Sequence, residues 1–208
     1  MSVTAASGFR AAGVAAGIKS SGALDLALVV NDGPATAAAG VFTRNQVKAA
    51  PVLWSQQILT SQHLRAIVLN SGGANACTGP GGFQDTHATA DHVARVLGCG
   101  AAEVAVCSTG LIGERLPLEA LLSGIDTAAT ALAATPDAGL AAATAVLTTD
   151  NVPKQAEVSG SGWTVGGFAK GAGMVAPSLA TMLCVLTTDA AVNGSVLNAV
   201  LRRATSET

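Results

Sequence analysis

At 208 residues, half of them hydrophobic, the chain can bury a sizeable core as one domain or two small ones, and it is too apolar to be disordered. A formal charge of −2 with 12% charged residues offers no basic surface for nucleic acid or an anionic membrane, which makes a small-molecule site the default expectation. With 24 glycines, 3% aromatics and no tyrosine, the core must come from aliphatic side chains and close backbone packing.

No apolar run approaches the roughly 20 residues that a bilayer core demands, and MSVTAASGFRAAG lacks the basic and apolar regions of a secretory signal. Cys77, Cys99, Cys107 and Cys184 show no C-x-x-C spacing and no histidine at metal-ligand distance in the sequence, so four buried free thiols in a reducing cytoplasm are expected and no metal site.

In chain order, Leu24–Val30 predicts a strand, Asn31-Asp32-Gly33 a turn, and Ala39–Thr43 the returning strand of a hairpin. Ser55–Gln62 predicts a short helix and Arg65–Leu69 a strand, followed by the small, polar, Gly-rich loop Asn70–Gly79. That loop matches neither a dinucleotide fingerprint nor a P-loop. A pocket-lining loop and a tight Asn-capped turn both remain open for it. Asp85–Leu97 predicts a helix with Ala88, Val93, Val96 and Leu97 inward and Gly98 as its stop. His87 and His92 lie five residues apart on it, about 140° around the axis, so they cannot share one metal; they and His63 read as surface or capping residues.

Glu103–Cys107 predicts a strand running into Ser108-Thr109-Gly110, where a hydroxyl and a backbone N–H can be presented together. Pro117 opens a helix with Leu118, Leu121, Leu122 and Ile125 on one face, and Asp137–Val146 is a further helix. Two strands flank Ser159–Gly162, the second delivering Phe168-Ala169-Lys170. After Gly171, Gly173 and Pro177 bend the chain, Met182–Leu186 reads as a strand buried on both faces, and Val196–Ala204 as a terminal helix.

Thr181 stands at the mouth of that strand. Were the Ala180–Thr181 bond cut, the new α-amine would share a residue with the hydroxyl and, titrating at about 7.7–8.0, could act as its general base. Attack of the Thr181 hydroxyl on the Ala180 carbonyl, acyl shift from nitrogen to oxygen and hydrolysis of the ester would make the cut. On residues alone, an ordinary Gly-rich turn with a strand-initiating threonine is the favoured reading.

The stretch KGAGMVAPSLATM, Lys170–Met182, resembles the autoprocessing segment of the bifunctional glutamate N-acetyltransferase (ornithine acetyltransferase) family of arginine biosynthesis. Val41–Asn45, Asn70–Gly79, Cys107–Gly113 and Thr148–Lys154 resemble the same family in the same order. The resemblance implies an α/β fold with sheets packed between helices, of the ornithine acetyltransferase and aminopeptidase type. It implies transfer of acetyl from N2-acetylornithine to glutamate through an acetyl-Thr181 ester, with acetyl-CoA as a further candidate donor and no cofactor. Residue by residue, it makes Thr181 the nucleophile, Thr109 and Gly110 the oxyanion hole, Thr148 and Lys170 substrate-binding residues, and Ala180 and Thr181 the cleavage site. Ser178 would be support.

Residues 1–180 would then be the α chain and 181–208 the start of a β chain, assembled as a heterotetramer of two α and two β chains. Family members continue well past the nucleophile, so the resemblance makes this chain a portion of a longer protein. A self-cleaving aminopeptidase or amidase that releases acyl groups to water, and an inactive structural fragment, are the rival readings.

Overall fold

The computed structural model describes residues 2–172 and 181–207. Strands β1 (Phe9–Val14), β2 (Leu26–Asn31), β3 (Ala66–Gly73) and β4 (Val104–Leu111) form one sheet in the order β1-β2-β3-β4. The first two pairings are antiparallel; β3 and β4 run parallel, which requires a long crossover, supplied by helix α2 (Gly79–Leu97). β2 reads Leu-Ala-Leu-Val-Val-Asn and is buried at every position but Asn31, because both faces of the sheet are covered.

On one face lie α1 (Ala50–Ile58), α2 and α3 (Leu118–Thr130), closing a core of Leu28, Val68, Val106, Trp54, Val93 and Ile125. The other face carries α4 (Pro136–Ala145) and a second sheet of β5 (Lys154–Gly160), β6 (Trp163–Lys170) and β7 (Leu183–Thr188), all antiparallel. Here Val29, Leu69, Ala142, Val146, Phe168 and Val185 pack together. The α/β architecture with sheets between helices is therefore as expected. Helix α5 (Gly194–Glu207) follows β7, and no described helix is long and apolar enough to cross a membrane.

Several local expectations differ. Asn31-Asp32-Gly33 does turn the chain, with Asn31 Oδ1 accepting from Gly33 N at 2.9 Å, yet Ala39–Thr43 is not a strand. Both edges of β2 are already taken by β1 and β3, so no ladder is free for it. Helices α1 and α2 begin at Ala50 and Gly79, earlier than the apolar periodicity suggests, because Pro51 and Pro80 occupy their first turns, where a missing N–H costs nothing. On α2, Val93 is buried but Val96 is exposed, while Asp85, Thr86 and Thr89 face inward.

β7 is not buried on both faces. Val185 and Thr187 point inward, Leu186 is 55% exposed, and among the described residues β6 is its one strand partner. The thiols also divide: Cys77 and Cys184 are exposed, Cys99 and Cys107 half-buried, and all four are free. Burial pushes the Cys107 thiol up to about 12, far from a nucleophilic thiolate.

Candidate active site

The ends of β4, β6 and α4 and the approach to β7 meet at one place. β6 and β7 pair with Lys170 opposite Leu183, so the chain leaves β6 at Gly171 and returns at Thr181 beside the residue it left. Lys170 ends β6 with its side chain turned inward, and the residue is only 4% exposed. Its Nζ donates to Thr109 Oγ1 at 3.0 Å, to Thr148 Oγ1 at 2.9 Å and to the Thr181 carbonyl at 3.0 Å. One amine thus gathers three residues that lie 61, 22 and 11 positions away along the chain.

Exposure varies sharply within this cluster. Thr109 is 2% exposed, whereas Gly110, Thr148 and Thr181 are exposed. The buried pair, Thr109 and Lys170, forms a floor from which the other three residues reach solvent. Gly110 holds φ +133°, a region L side chains rarely adopt, opposite Gly72 in the parallel register. A Cβ there would lie 2.4 Å from the Gly72 carbonyl carbon.

The surrounding residues hold these positions. Asp25, fully buried, accepts from the backbone N–H groups of Ala16, Ile18 and Lys19 at 2.6–2.8 Å. Lys19 then reaches the carbonyl of Leu147 at 2.7 Å, next to Thr148. Ser71 ties β3 to α4 through the Ala145 carbonyl at 2.5 Å, and Asn70 links Ser108 to the Gly73 carbonyl. In the predicted loop at 70–79, residues 70–73 are strand, while Asn75 binds the Gly82 carbonyl and Thr86 inside α2. The loop supports the site from behind and carries none of the Lys170 contacts.

Asp150 adds a further carboxylate with a buried side chain. Its Oδ1 accepts from Gly171 N at 2.7 Å and Lys154 Nζ at 2.6 Å, and its side chain is fully buried. Oδ2 is buried too, without a hydrogen-bond partner among the described residues. Burial resists ionisation of this carboxyl, but the bonds from Lys154 and Gly171 and the charges of Lys154 and Lys170 outweigh it and hold its pKa below the ordinary value. For Lys170 burial is the main cause of a lowered pKa; Lys154 and Lys19 push the same way and Asp150 opposes them.

Thr109, Gly110, Thr148, Lys170 and Thr181, singled out from the sequence, are therefore neighbours. Ala180 and Ser178, like Gly173 and Pro177, lie outside the described residues. Asp150 falls within the Thr148–Lys154 stretch, whereas nothing in the local sequence marks Lys19 and Asp25 as supports, since their partners are backbone groups. His87 pairs with Asp91, and His92 joins Asp126 to Arg95, both outside this cluster. Among the described residues no three His, Cys, Asp or Glu side chains form a metal-sized group.

An apolar groove of about 270 Å³ runs between α5 and strands β2, β3 and β7, lined by Ile67, Leu186, Leu197 and Leu201 among others. None of Thr109, Gly110, Thr148, Lys170 or Thr181 lines it. Asn31, Arg65, Thr187 and Thr188 are polar residues of its lining, but none of them joins a convergence of hydroxyls on a buried cation like that at Lys170. The Lys170 cluster offers hydroxyls and a cation and is the better candidate for chemistry.

Residues 10–208 match the model of the ArgJ family. An arginine biosynthesis bifunctional protein ArgJ from Mycolicibacterium paratuberculosis is 66% identical across 99% of this chain and 52% of its own length. The chain spans about half the length of the curated relatives it matches. Among solved structures, an ornithine acetyltransferase from Mycobacterium tuberculosis complexed with ornithine has 63% identity and a TM-score of 0.83, over 88% of this chain and 96% of that chain. An arginine biosynthesis bifunctional protein from Bacillus halodurans has 33% identity and a TM-score of 0.71, over 90% of this chain and 88% of that one.

Proposed function

The chain belongs to the ArgJ family, and on that premise we propose that it carries the nucleophile half of an enzyme that moves acetyl from N2-acetylornithine to glutamate. The observation that carries the proposal is the convergence of Thr109, Thr148 and Thr181 on the Lys170 amine. The ornithine bound by the Mycobacterium tuberculosis relative supports an amino-acid substrate of this size.

In this reading the Ala180–Thr181 bond is cut and the freed Thr181 amine takes the proton of its own hydroxyl as Oγ attacks the acetyl carbonyl. The carbonyl oxygen becomes an anion, held by the Thr109 hydroxyl and the Gly110 N–H. The intermediate collapses, the C–N bond breaks, and the α-ammonium of Thr181 returns the proton to the departing amine of ornithine. The amine of glutamate then attacks the acetyl-Thr181 ester through the same steps, which restores the hydroxyl and releases N-acetylglutamate. Thr148 bounds the substrate space, and the charge of Lys170 attracts an amino-acid carboxylate. Transfer rather than hydrolysis requires that water be kept from the ester.

Cleavage into an α chain, 1–180, and a β chain beginning at Thr181 fits the lengths of the relatives. This chain covers 52% of a curated relative but 96% of a solved chain, as a precursor divided near its middle would produce. Two α and two β chains per molecule, acetyl-CoA as a second donor and a cytoplasmic location belong to the same proposal. The test is to supply the full-length gene product with N2-acetylornithine and glutamate, separately and together. N-acetylglutamate formed only when both are present supports transfer; acetate released from acetylornithine alone, at an equal rate, would mark a hydrolase instead.

A further inference from the structure

An ammonium has three N–H bonds and no lone pair. Lys170 directs them to Thr109 Oγ1, Thr148 Oγ1 and the carbonyl of Thr181, and at 4% exposure it has little access to any other acceptor. A donor with no acceptor capacity forces each threonine oxygen to accept. The proton of each hydroxyl is thereby turned away from Lys170. Among the described residues neither Thr109 nor Thr148 donates to any acceptor, so there both protons are uncommitted.

We propose that Lys170 is a positioning residue for the oxyanion hole: its ammonium, bonded at once to Thr109, Thr148 and Thr181, sets the direction in which the Thr109 hydroxyl donates. This rests on the reading of Thr109 and Gly110 as the groups that hold the oxyanion. The Thr109 hydroxyl is aimed before substrate arrives, so little reorientation is left for the moment at which charge develops.

A consequence follows for pH. Deprotonated, the Lys170 amine would gain a lone pair and accept a hydrogen bond from one of the two hydroxyls, reversing the bond that aims it. The groups that govern this loss are Lys154 and Lys19, which favour it, and Asp150, which resists it, added to burial. The uncharged form is reached at lower pH than for a free lysine.

The test compares wild type, Lys170→Met, Thr109→Ala and the double variant in the full-length gene product, with kcat and KM measured for N2-acetylornithine and glutamate. Each single variant should lose about 10²-fold or more in kcat, and the double variant should be no worse than the weaker single by more than about threefold. Losses that multiply in the double variant would overturn the proposal, since Lys170 and Thr109 would then act independently. Full activity of Thr109→Ala would instead remove the oxyanion-hole reading beneath it. If Lys170→Met does not fold, the pH profile decides. An alkaline fall in kcat present in wild type and missing from Thr109→Ala supports the proposal; the same fall in both overturns it.

Discussion

Gly72 and Gly110 stand opposite each other where β3 and β4 end, with the backbones so close that a methyl group on Gly110 would sit 2.4 Å from the Gly72 carbonyl carbon and 2.6 Å from Gly73 N. Gly110 is exposed there, next to the buried Thr109.

Gly110→Ala should therefore weaken both fold and site. Overpacking of this kind costs about 1–3 kcal/mol, and a φ of +133° adds strain for any residue with a Cβ. A lowered urea midpoint with unchanged slope, together with a kcat loss of about 10²-fold or more, is the expected pair of results. An alanine variant as stable and as active as wild type would show that the strands separate here at no cost.

Thr181→Ala removes the hydroxyl that both processing and transfer need. The full-length variant should remain a single chain by intact-mass measurement and form no N-acetylglutamate. Thr181→Ser, which keeps a hydroxyl and the amine, should still yield a new terminus, beginning Ser-Met-Leu-Cys. A wild-type protein that works uncut would sink the proposed mechanism.

Asp150 fastens the start of the returning segment through Gly171 N, and Asp150→Ala would leave that N–H without its acceptor at a cost of about 1–3 kcal/mol. The sign of its pH dependence follows from a carboxyl whose folded pKa is lowered by Lys154, Gly171 and Lys170 against the effect of burial. Its contribution is present above the ordinary carboxylate pKa and is lost as pH falls through the lowered value. Acid titrations should thus show wild type losing stability over a range in which Asp150→Asn changes less. Parallel curves would assign the acid sensitivity to other groups.

Gly13 on β1 touches α4 so closely that a Cβ there would lie 2.1 Å from the carbonyl oxygen of Ala141. Gly13→Ala should push α4 outward and lower stability by about 1–3 kcal/mol. Because Thr148 follows α4, its KM for either substrate should rise severalfold, measurable at a temperature where the variant is still folded.

Much of the fold was legible because its signals are local. The run Leu24–Val30 could only be a buried strand, Gly98 ends α2 at φ +70°, and Ser159–Gly162 separates two real strands. The misreadings were of another kind. Ala39–Thr43 has a strand's composition but finds both edges of β2 occupied, and Met182–Leu186 reads as buried although Met182 and Leu186 are largely exposed, because apolar composition does not say how many faces are covered.

The site divides in the same way. Residue order alone was enough to single out Thr109, Gly110, Thr148, Lys170 and Thr181, since five short motifs in a fixed succession mark the family whose model the chain matches. It said nothing of Lys19 or Asp25, nor of the bonds that Lys170 makes. Those depend on strand register and on how the second sheet lies against the first, quantities fixed by long-range packing. A hydroxyl's neighbours in space are set by that packing, and so the direction of its proton was decided only when the chain had folded.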